Sequence, residues 1–224
     1  MSEHVLLERR LRRFFRQWYR AHGREFPWRA PGLSAFAILT AEMLLRQTRA
    51  DMVASIWPIF IERYPSPESC LDSPDTELYL LLSPLGFGNQ RVTAIKSVAT
   101  ALVENHAGAV PRSIDQLLVL PHIGLYSAHA IACFAYNRRV PVVDVNVLRL
   151  FSRITGENYG LDNRRGKAPE AWKLARRILP DRNVKEHNYG VLDFCAQICT
   201  TRHPRHNQCD LAPWCAYFQS RVDR

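Results

Sequence analysis

Two carboxylates in apolar surroundings are the side chains of this sequence best suited to acid–base chemistry. Glu42 lies within the mainly apolar stretch 38–45, and Asp144 stands among the valines of 142–145. A carboxylate in such surroundings is costly unless it has a partner or a function, and burial raises the pKa of a carboxyl group. Two acids in different environments can cleave a bond at the anomeric carbon of a sugar, because one protonates the leaving group while the other stays ionised and stabilises the cationic sugar. Asp144 could equally be the cap of a helix that begins at Val145.

A second set of residues, near the C-terminus, has the spacing of metal ligands. Three of the six cysteines lie in the last 26 residues, and Cys199, His206, Cys209 and Cys215 are separated by six, two and five residues. In a cytosolic protein such cysteines are thiols or metal ligands rather than disulfides. Zinc readily accepts three cysteines and one histidine. Cys195 is an alternative fourth ligand, since it precedes Cys199 by four residues on the same helix face; a loop that holds no metal is a further reading.

The charge balance favours a polyanionic partner. Lys plus Arg number 30 against 21 acids, a formal net charge of +9 with a pI near 9.6. A basic surface of this kind suits nucleic acid, although a soluble protein can also be basic without such a partner. No window is apolar enough to span a membrane, and the N-terminal stretch lacks the apolar core of a signal peptide. We therefore expect a cytoplasmic, nucleoid-associated protein that acts as a monomer.

Helical periodicity runs through the whole chain and must position these residues. Residues 4–22 place Leu7, Leu11 and Phe15 on one face, with an arginine-rich face opposite. No alternation typical of a strand exceeds about four residues. The fold class predicted is all-α. Further helices are predicted near residues 34–46, 49–63, 75–83, 89–106, 113–119, 145–154, 168–179 and 186–199, and the segment from residue 200 onwards is predicted to be a loop.

The stretch 117–149 combines a helix, a tight turn, a second helix and an extended exit that carries Asp144. The turn runs from Leu120 to Gly124. A helix that starts just after a glycine turn exposes backbone N–H groups, and these suit a phosphate. Many helix pairs are joined in this way for structural reasons alone.

Several motifs in this order resemble one known family. The segments LPHIGLYSAHAI (120–131) and VDVNVLR (143–149) resemble the signature of the helix-hairpin-helix glycosylases of base-excision repair, LPG-x-G-x-x-T/S-A followed by D-x-N-V-x-R. FPWR (26–29) and AEMLLRQT (41–48) resemble the adenine DNA glycosylase branch. Tyr126 within IGLYSA and the segment LGFGNQR, residues 85–91, are closest to the archaeal thymine DNA glycosylases that act on T:G mismatches. The resemblance extends from about residue 10 to residue 218.

The resemblance implies a two-lobed, all-α fold. One lobe is a six-helix bundle over residues 29–140, with the helix-hairpin-helix at about 113–137. Residues 1–28 together with 141–224 form a second helical lobe that ends in a metal-cluster loop at 199–215. The family binds double-stranded DNA that contains a mismatched or damaged base, holds it in the groove between the lobes and flips the target base out of the helix.

The resemblance also implies roles for individual residues. Asp144 would stabilise the cationic sugar and orient the attacking water, and Glu42 would hydrogen-bond the flipped base and assist its departure. Tyr126 stands where bifunctional relatives carry a Schiff-base lysine, so the activity implied is monofunctional. Arg46 and Gln47 would enter the gap that the flipped base leaves.

The hairpin residues His122, Ile123 and Gly124 would bind a DNA phosphate through the backbone. His122 departs from the family pattern, which usually has glycine there. If that position requires a positive φ, histidine is less comfortable than glycine.

Family members with a 4Fe–4S cluster use the spacing C-x6-C-x2-C-x5-C. The spacing of Cys199, His206, Cys209 and Cys215 agrees at every position, with histidine as the second ligand. Imidazole ligates iron in some clusters. The resemblance thus implies a cluster with one histidine ligand; zinc, no metal, or Cys195 in place of His206 are the alternatives.

The activity implied is hydrolytic removal of a mispaired base, thymine or uracil opposite guanine, which leaves an abasic site. Two alternatives stay open. One is an adenine-removing mismatch glycosylase that lacks the C-terminal domain for recognition of oxidised guanine. The other is a non-catalytic DNA-binding relative.

Overall fold

The computed structural model of this 224-residue chain describes residues 3–159 and 168–222. Within those ranges the chain forms helices and no strand, which confirms the predicted all-α class. No helix in the described ranges is both long and apolar enough to cross a membrane. The α-helices are α1 Glu3–His22, α2 Ala35–Leu44, α3 Ala50–Arg63, α4 Pro67–Asp72, α5 Asp75–Leu82, α6 Gly88–His106, α7 Ile114–Val119, α8 Leu125–Phe134, α9 Val145–Thr155, α10 Pro169–Arg177, α11 Val184–Gln197 and α12 Ala216–Val222.

The helices form two compact units. The first, here called the hairpin unit, is Glu25–Asn137 and contains α2 to α8. The second, here called the terminal unit, joins Met1–Arg24 to Arg138–Arg224 and contains α1 and α9 to α12.

The core of the terminal unit is built where α1 packs against α11. The apolar face predicted for α1 is buried: Leu11 and Phe15 are both fully inaccessible. The rings of Phe15 and Trp18 contact Phe194 edge to face, with centroids 5.7 and 5.4 Å apart. Gly190 of α11 lies directly against the carbonyl oxygen of Phe15, where a Cβ atom would collide. The two helices can therefore approach more closely than a side chain would allow.

His187 is a buried titratable group in this core. It is 1% exposed, and its ring packs edge-on against Phe15 at 5.8 Å. Burial, together with the nearby charges of Arg12 and Arg16, lowers the pKa of His187 from 6.5 to about 4, although a hydrogen bond with the Arg12 backbone opposes this shift. The imidazole is therefore neutral in the folded protein at pH values where it is charged in the unfolded chain.

This shift predicts a loss of stability in acid. Because the unfolded chain binds a proton at His187 below about pH 6.5 and the folded chain does so only near pH 4, stability should fall between these values. A shift of this size corresponds to about 3 kcal/mol when fully developed. Denaturant unfolding at pH 5 and pH 7.5 should show a smaller pH dependence for His187→Phe than for the wild type. The matched control is His203→Phe at an exposed histidine, and equal slopes for wild type and His187→Phe would contradict the prediction.

The core of the hairpin unit is centred on α2. Residues Phe36–Leu44 of this helix are all buried, so the helix is surrounded by protein on every side. It packs against α3 and α8, and the indole of Trp57 donates a hydrogen bond to the carbonyl of Ala37 at 3.1 Å. Ser34 caps the helix by accepting a hydrogen bond from the Ala37 amide.

Three local predictions were wrong or incomplete. α2 ends at Leu44 rather than near Arg46. α4 was not predicted, although Ser66 and Ser69 form a capping box and a proline opens the helix. The segment from residue 200 onwards, predicted to be a loop, contains α12 and two short 3-10 turns, His206–Gln208 and Ala212–Trp214.

Candidate active site and nucleic-acid interface

The hairpin consists of α7, the turn Leu120–Gly124 and α8. His122 has φ of +60°, so the position does require left-handed backbone. Ile123 is buried and anchors the turn, while Gly124 is exposed, with nothing within 4 Å of the place its Cβ would occupy. No side chain caps α8. The positive end of the helix is thus accessible to an anion.

Glu42 and Tyr126 lie on two helices of the hairpin unit that pack against each other, α2 and α8. Glu42 is 5% exposed, as expected for an acid in an apolar helix. Tyr126 is half-buried in the first turn of α8. The hairpin and the buried acid are therefore built on adjacent elements.

Arg46 and Gln47 follow the end of α2 and are both exposed. The Arg46 guanidinium donates a hydrogen bond to the carbonyl of His122 at 2.9 Å, which ties this segment to the hairpin turn. Together with His122 and Phe87, they line an open cavity that has about 890 Å³ of empty space, part of it open to solvent. Phe87 was not predicted as a site residue, although it lies between two glycines in the sequence. It is 58% exposed.

Asp144 is the N-cap of α9 in the terminal unit. Its Oδ1 accepts a hydrogen bond from the Val147 amide at 2.8 Å, and its Oδ2 accepts one from the Asn146 side chain at 2.7 Å. The capping role considered from the sequence is thus present. It fixes the carboxylate in one orientation, since both oxygens are held.

A chain of hydrogen bonds leads from Asp144 to the cysteine loop. The Asn146 side-chain oxygen accepts from Arg149 at 2.8 Å, and Arg149 donates to the Cys199 carbonyl at 3.0 Å. Arg149 is 9% exposed, so these bonds are shielded from water. Asn146 and Arg149 were not predicted as site residues, although both belong to the segment VDVNVLR, residues 143–149. Hydrogen bonds therefore connect the catalytic candidate Asp144 to the backbone of the metal-ligand candidate Cys199.

Four of the proposed metal ligands face a common space. Cys199, His206, Cys209 and Cys215 line one cavity with about 320 Å³ of empty space, part of it open to solvent. Burial, with a contribution from neighbouring thiols, raises the pKa of Cys209 to about 11 and raises that of Cys215, although backbone hydrogen bonds oppose both shifts. Burial, with the charges of Arg153 and Arg221, lowers the pKa of His206.

Arg153 holds this loop to α9. Its guanidinium lies 3.4 Å from the Cys199 sulfur and donates to the carbonyls of Thr200 and Thr201 at 2.7 and 2.8 Å. The Cys215 thiol in turn donates to the Arg153 carbonyl. A positive charge is therefore fixed where deprotonated thiols would need one.

Cys195 occupies a different environment. It is 2% exposed, its thiol donates to the Asn146 carbonyl at 3.4 Å, and it is absent from the lining of the cavity. Within the described part of the chain, no three histidine, cysteine or acidic side chains are close enough together to hold a single metal ion. The two remaining cysteines, Cys70 and Cys133, are fully buried, as expected of core residues.

A helical hairpin with an open N-terminus, followed by a helix-capping aspartate, defines a protein of the helix-hairpin-helix class. This chain belongs to the HhH-GPD superfamily of base excision DNA repair proteins, whose profile matches residues 40–175. The family predicted from the motifs is therefore confirmed.

Relatives with two kinds of activity are similar to the chain. The thymine/uracil-DNA glycosylase of Methanothermobacter thermautotrophicus is 33% identical over 196 residues, which cover 88% of this chain and 87% of the relative. The adenine DNA glycosylase of Mycobacterium tuberculosis is 35% identical over 201 residues, which cover 89% of this chain; the chain spans 65% of that relative's length. The solved structure of a thermostable thymine-DNA glycosylase superposes with a TM-score of 0.90 at 29% identity, covering 97% of this chain and 100% of the other.

Proposed function

We propose that this protein is a monofunctional DNA glycosylase that removes a mispaired base, thymine or uracil opposite guanine, and leaves an abasic site. The observation that carries the proposal is the Asp144 carboxylate, held by two hydrogen-bond donors at the start of α9. Relatives named thymine/uracil-DNA glycosylase match over most of their length. The similarity to adenine DNA glycosylases makes adenine the second candidate base.

The reaction breaks the bond between the base and the sugar. The base leaves with the bonding electrons, and Glu42 hydrogen-bonds the base and supplies a proton to it. Asp144 stays ionised, stabilises the positive charge that develops on the sugar and orients a water molecule, whose oxygen bonds to the anomeric carbon. One proton of that water stays on the new sugar hydroxyl, the other passes to solvent, and Glu42 is reprotonated from solvent. No Schiff base to residue 126 forms, because the Tyr126 phenol has no amine.

Double-stranded DNA is the proposed partner, bound by a monomer. Backbone N–H groups at the turn around His122, Ile123 and Gly124 would bind a phosphate without reading sequence. Arg46 and Gln47 would fill the gap left by the flipped base. Phe87, exposed on the same cavity, adds an aromatic face that can stack on a neighbouring base. We infer that the hairpin and terminal units correspond to the two lobes of the family.

Cys199, His206, Cys209 and Cys215 are proposed to hold a 4Fe–4S cluster. The fit rests on four donors lining one cavity and on the Arg153 charge beside Cys199. The spacing of these four residues agrees with that of the family's cluster ligands, and this agreement favours a cluster over zinc. When bound, the group supplies cross-links between distant parts of the loop and a redox-active centre. His206 is preferred to Cys195 because only His206 faces the cavity.

Base release from a panel of duplexes tests the proposed function. The panel contains T:G, U:G, A:G and A opposite 8-oxoguanine, with a fully paired duplex as the control. Cleavage of the product strand only after alkali treatment would show an abasic site without strand nicking. Release of adenine alone would favour the second candidate. If the protein binds DNA but releases no base from any duplex, the proposed enzymatic activity is wrong and the protein is a non-catalytic DNA-binding relative.

Replacing Tyr126 with lysine should create a strand-nicking activity. A lysine in the first turn of α8 would offer an amine to the sugar carbon, and the resulting imine can be reduced to a stable adduct. Borohydride should therefore trap Tyr126→Lys on mismatched DNA and leave the wild type free. Tyr126→Phe is the matched control, since it keeps the ring and adds no amine. If Tyr126→Lys releases the base but gives no trapped adduct, residue 126 does not lie beside the reacting sugar.

A further inference from the structure

Three exposed side chains of the hairpin unit stand on left-handed backbone, and they line one cavity. The φ angle is +56° at Gln47, +56° at Phe87 and +60° at His122. Residues other than glycine seldom adopt such angles. Strain of this kind persists only where surrounding contacts determine the conformation, and it is concentrated at functional sites.

Arg91, on the first turn of α6, supplies those contacts. It is 8% exposed although it is charged. Its Nε donates to the carbonyl of Gly86 at 2.7 Å, its Nη1 to that of Leu44 at 3.1 Å and its Nη2 to that of Arg46 at 3.2 Å. The Nη2 group also approaches the Thr48 hydroxyl and the Leu85 carbonyl.

These acceptors lie on both sides of Gln47 and immediately before Phe87. One planar guanidinium therefore joins the end of α2 to the turn that precedes α6. Arg46 extends the connection to the hairpin, since its backbone carbonyl accepts from Arg91 while its guanidinium donates to the His122 carbonyl. Two arginines thus link all three strained turns.

We propose that Arg91 is a positioning residue that fixes the separation of Gln47 and Phe87, so that both side chains enter the DNA as one preassembled pair. The inference rests on the proposed function and goes beyond it. Arg91 is given a role through the turns that carry Gln47 and Phe87, without contacting the DNA itself. A pair that is already ordered loses less conformational freedom on insertion, and base flipping then costs less. Arginine suits this position because its five donors have a fixed planar geometry, whereas a lysine ammonium has three donors at one point.

Arg91→Met and Arg91→Lys test this role, with Arg63→Met as the matched control. Arg63 is an exposed arginine at the end of α3 in the same unit, so its loss removes the same charge and none of these contacts. The measurements are single-turnover base release at saturating protein, affinity for the duplex, and the fluorescence of 2-aminopurine placed beside the mismatch, which reports unstacking.

Both Arg91 variants should lower the single-turnover rate by about tenfold or more, because misplaced groups lose orientation. The 2-aminopurine signal should fall, and the affinity should change by less than about threefold, since the hairpin backbone contacts remain. Arg63→Met should match the wild type in rate and fluorescence. A wild-type rate and fluorescence per folded molecule in Arg91→Met would overturn the proposal.

Thr48→Val provides a milder variant if Arg91→Met does not fold. It removes one acceptor of Arg91 and leaves the other four in place. The rate and the 2-aminopurine signal should change in the same direction as in Arg91→Met, by a smaller amount, and an unchanged 2-aminopurine signal would count against the positioning role of Arg91. If the wild type releases no base, the proposed function fails; the fluorescence comparison among wild type, Arg91→Met and Thr48→Val still decides the role of Arg91.

Discussion

Asp144→Asn is expected to lower the rate of base release on the order of a thousandfold while DNA binding is retained. The carboxylate is the only charge that Asp144 contributes, and the cationic sugar needs that charge in the transition state. Asparagine has nearly the same shape and no charge. The loss should therefore appear in the single-turnover rate and leave the affinity for duplex DNA nearly unchanged.

The substitution is informative because it removes the charge and preserves the helix cap, although asparagine loses the second oxygen, which accepts from the Asn146 side chain. Asp144 caps α9 by accepting a hydrogen bond from the Val147 amide. Asparagine is as good an N-cap as aspartate, so α9 should keep its first turn. Asp144→Ala would instead lose both the charge and the cap, and should cost about 1 kcal/mol of stability in addition. Comparing the two variants separates electrostatic catalysis from helix capping.

The measurement is single-turnover base release with the preferred duplex, combined with an affinity measurement on the same DNA. Glu42→Gln is a useful companion, since it neutralises the second acid and should also lower the rate. Near-normal excision by Asp144→Asn would remove Asp144 from the reaction and reduce it to a helix cap. Loss of both excision and binding would instead indicate a general structural defect.

The helices could be predicted from sequence where the apolar period is long and the ends are marked. α1 repeats its apolar face over several turns and stops before Gly23. α4 has six residues and α12 has seven, and helices of this length are too short to show a helical repeat of apolar residues. The serine and proline residues that form the start of α4 can be seen in the sequence, but the same residues are typical of a loop, so the pattern did not distinguish the two.

Candidate site residues could be selected from the sequence where one residue contradicts its surroundings. Glu42 and Asp144 are acids among apolar residues, and the resemblance places Tyr126 where bifunctional relatives have a lysine. Arg91 gave no such signal. Its importance depends on carbonyl groups from two separate segments meeting around one guanidinium, and this is decided by how α2 and α6 pack. The network of Asn146 and Arg149 was hidden for the same reason.

Cys209→Ala is expected to abolish metal binding, whereas Cys195→Ala is expected to retain it. Cys209 faces the same cavity as Cys199 and Cys215, and removal of one of these thiols leaves a cluster without one of its four ligands. Cys195 instead points to the Asn146 carbonyl. Iron and sulfide content together with visible absorption distinguish a cluster from zinc. Because metal that binds only the folded loop adds to the stability of the fold, Cys209→Ala should also lower the thermal unfolding midpoint.

A comparison of His206 and Cys195 variants identifies the fourth ligand. His206→Cys keeps a donor at the cavity and restores the four-cysteine spacing, so it should retain the metal; His206→Ala should lose it. If His206→Ala keeps a full complement of metal while Cys195→Ala loses it, Cys195 is the ligand and the loop must rearrange around it. If Cys209→Ala contains as much metal as the wild type, the cavity at 199–215 is not the metal site. In that case the Arg149 link from Asp144 to the Cys199 carbonyl would serve only to orient the carboxylate.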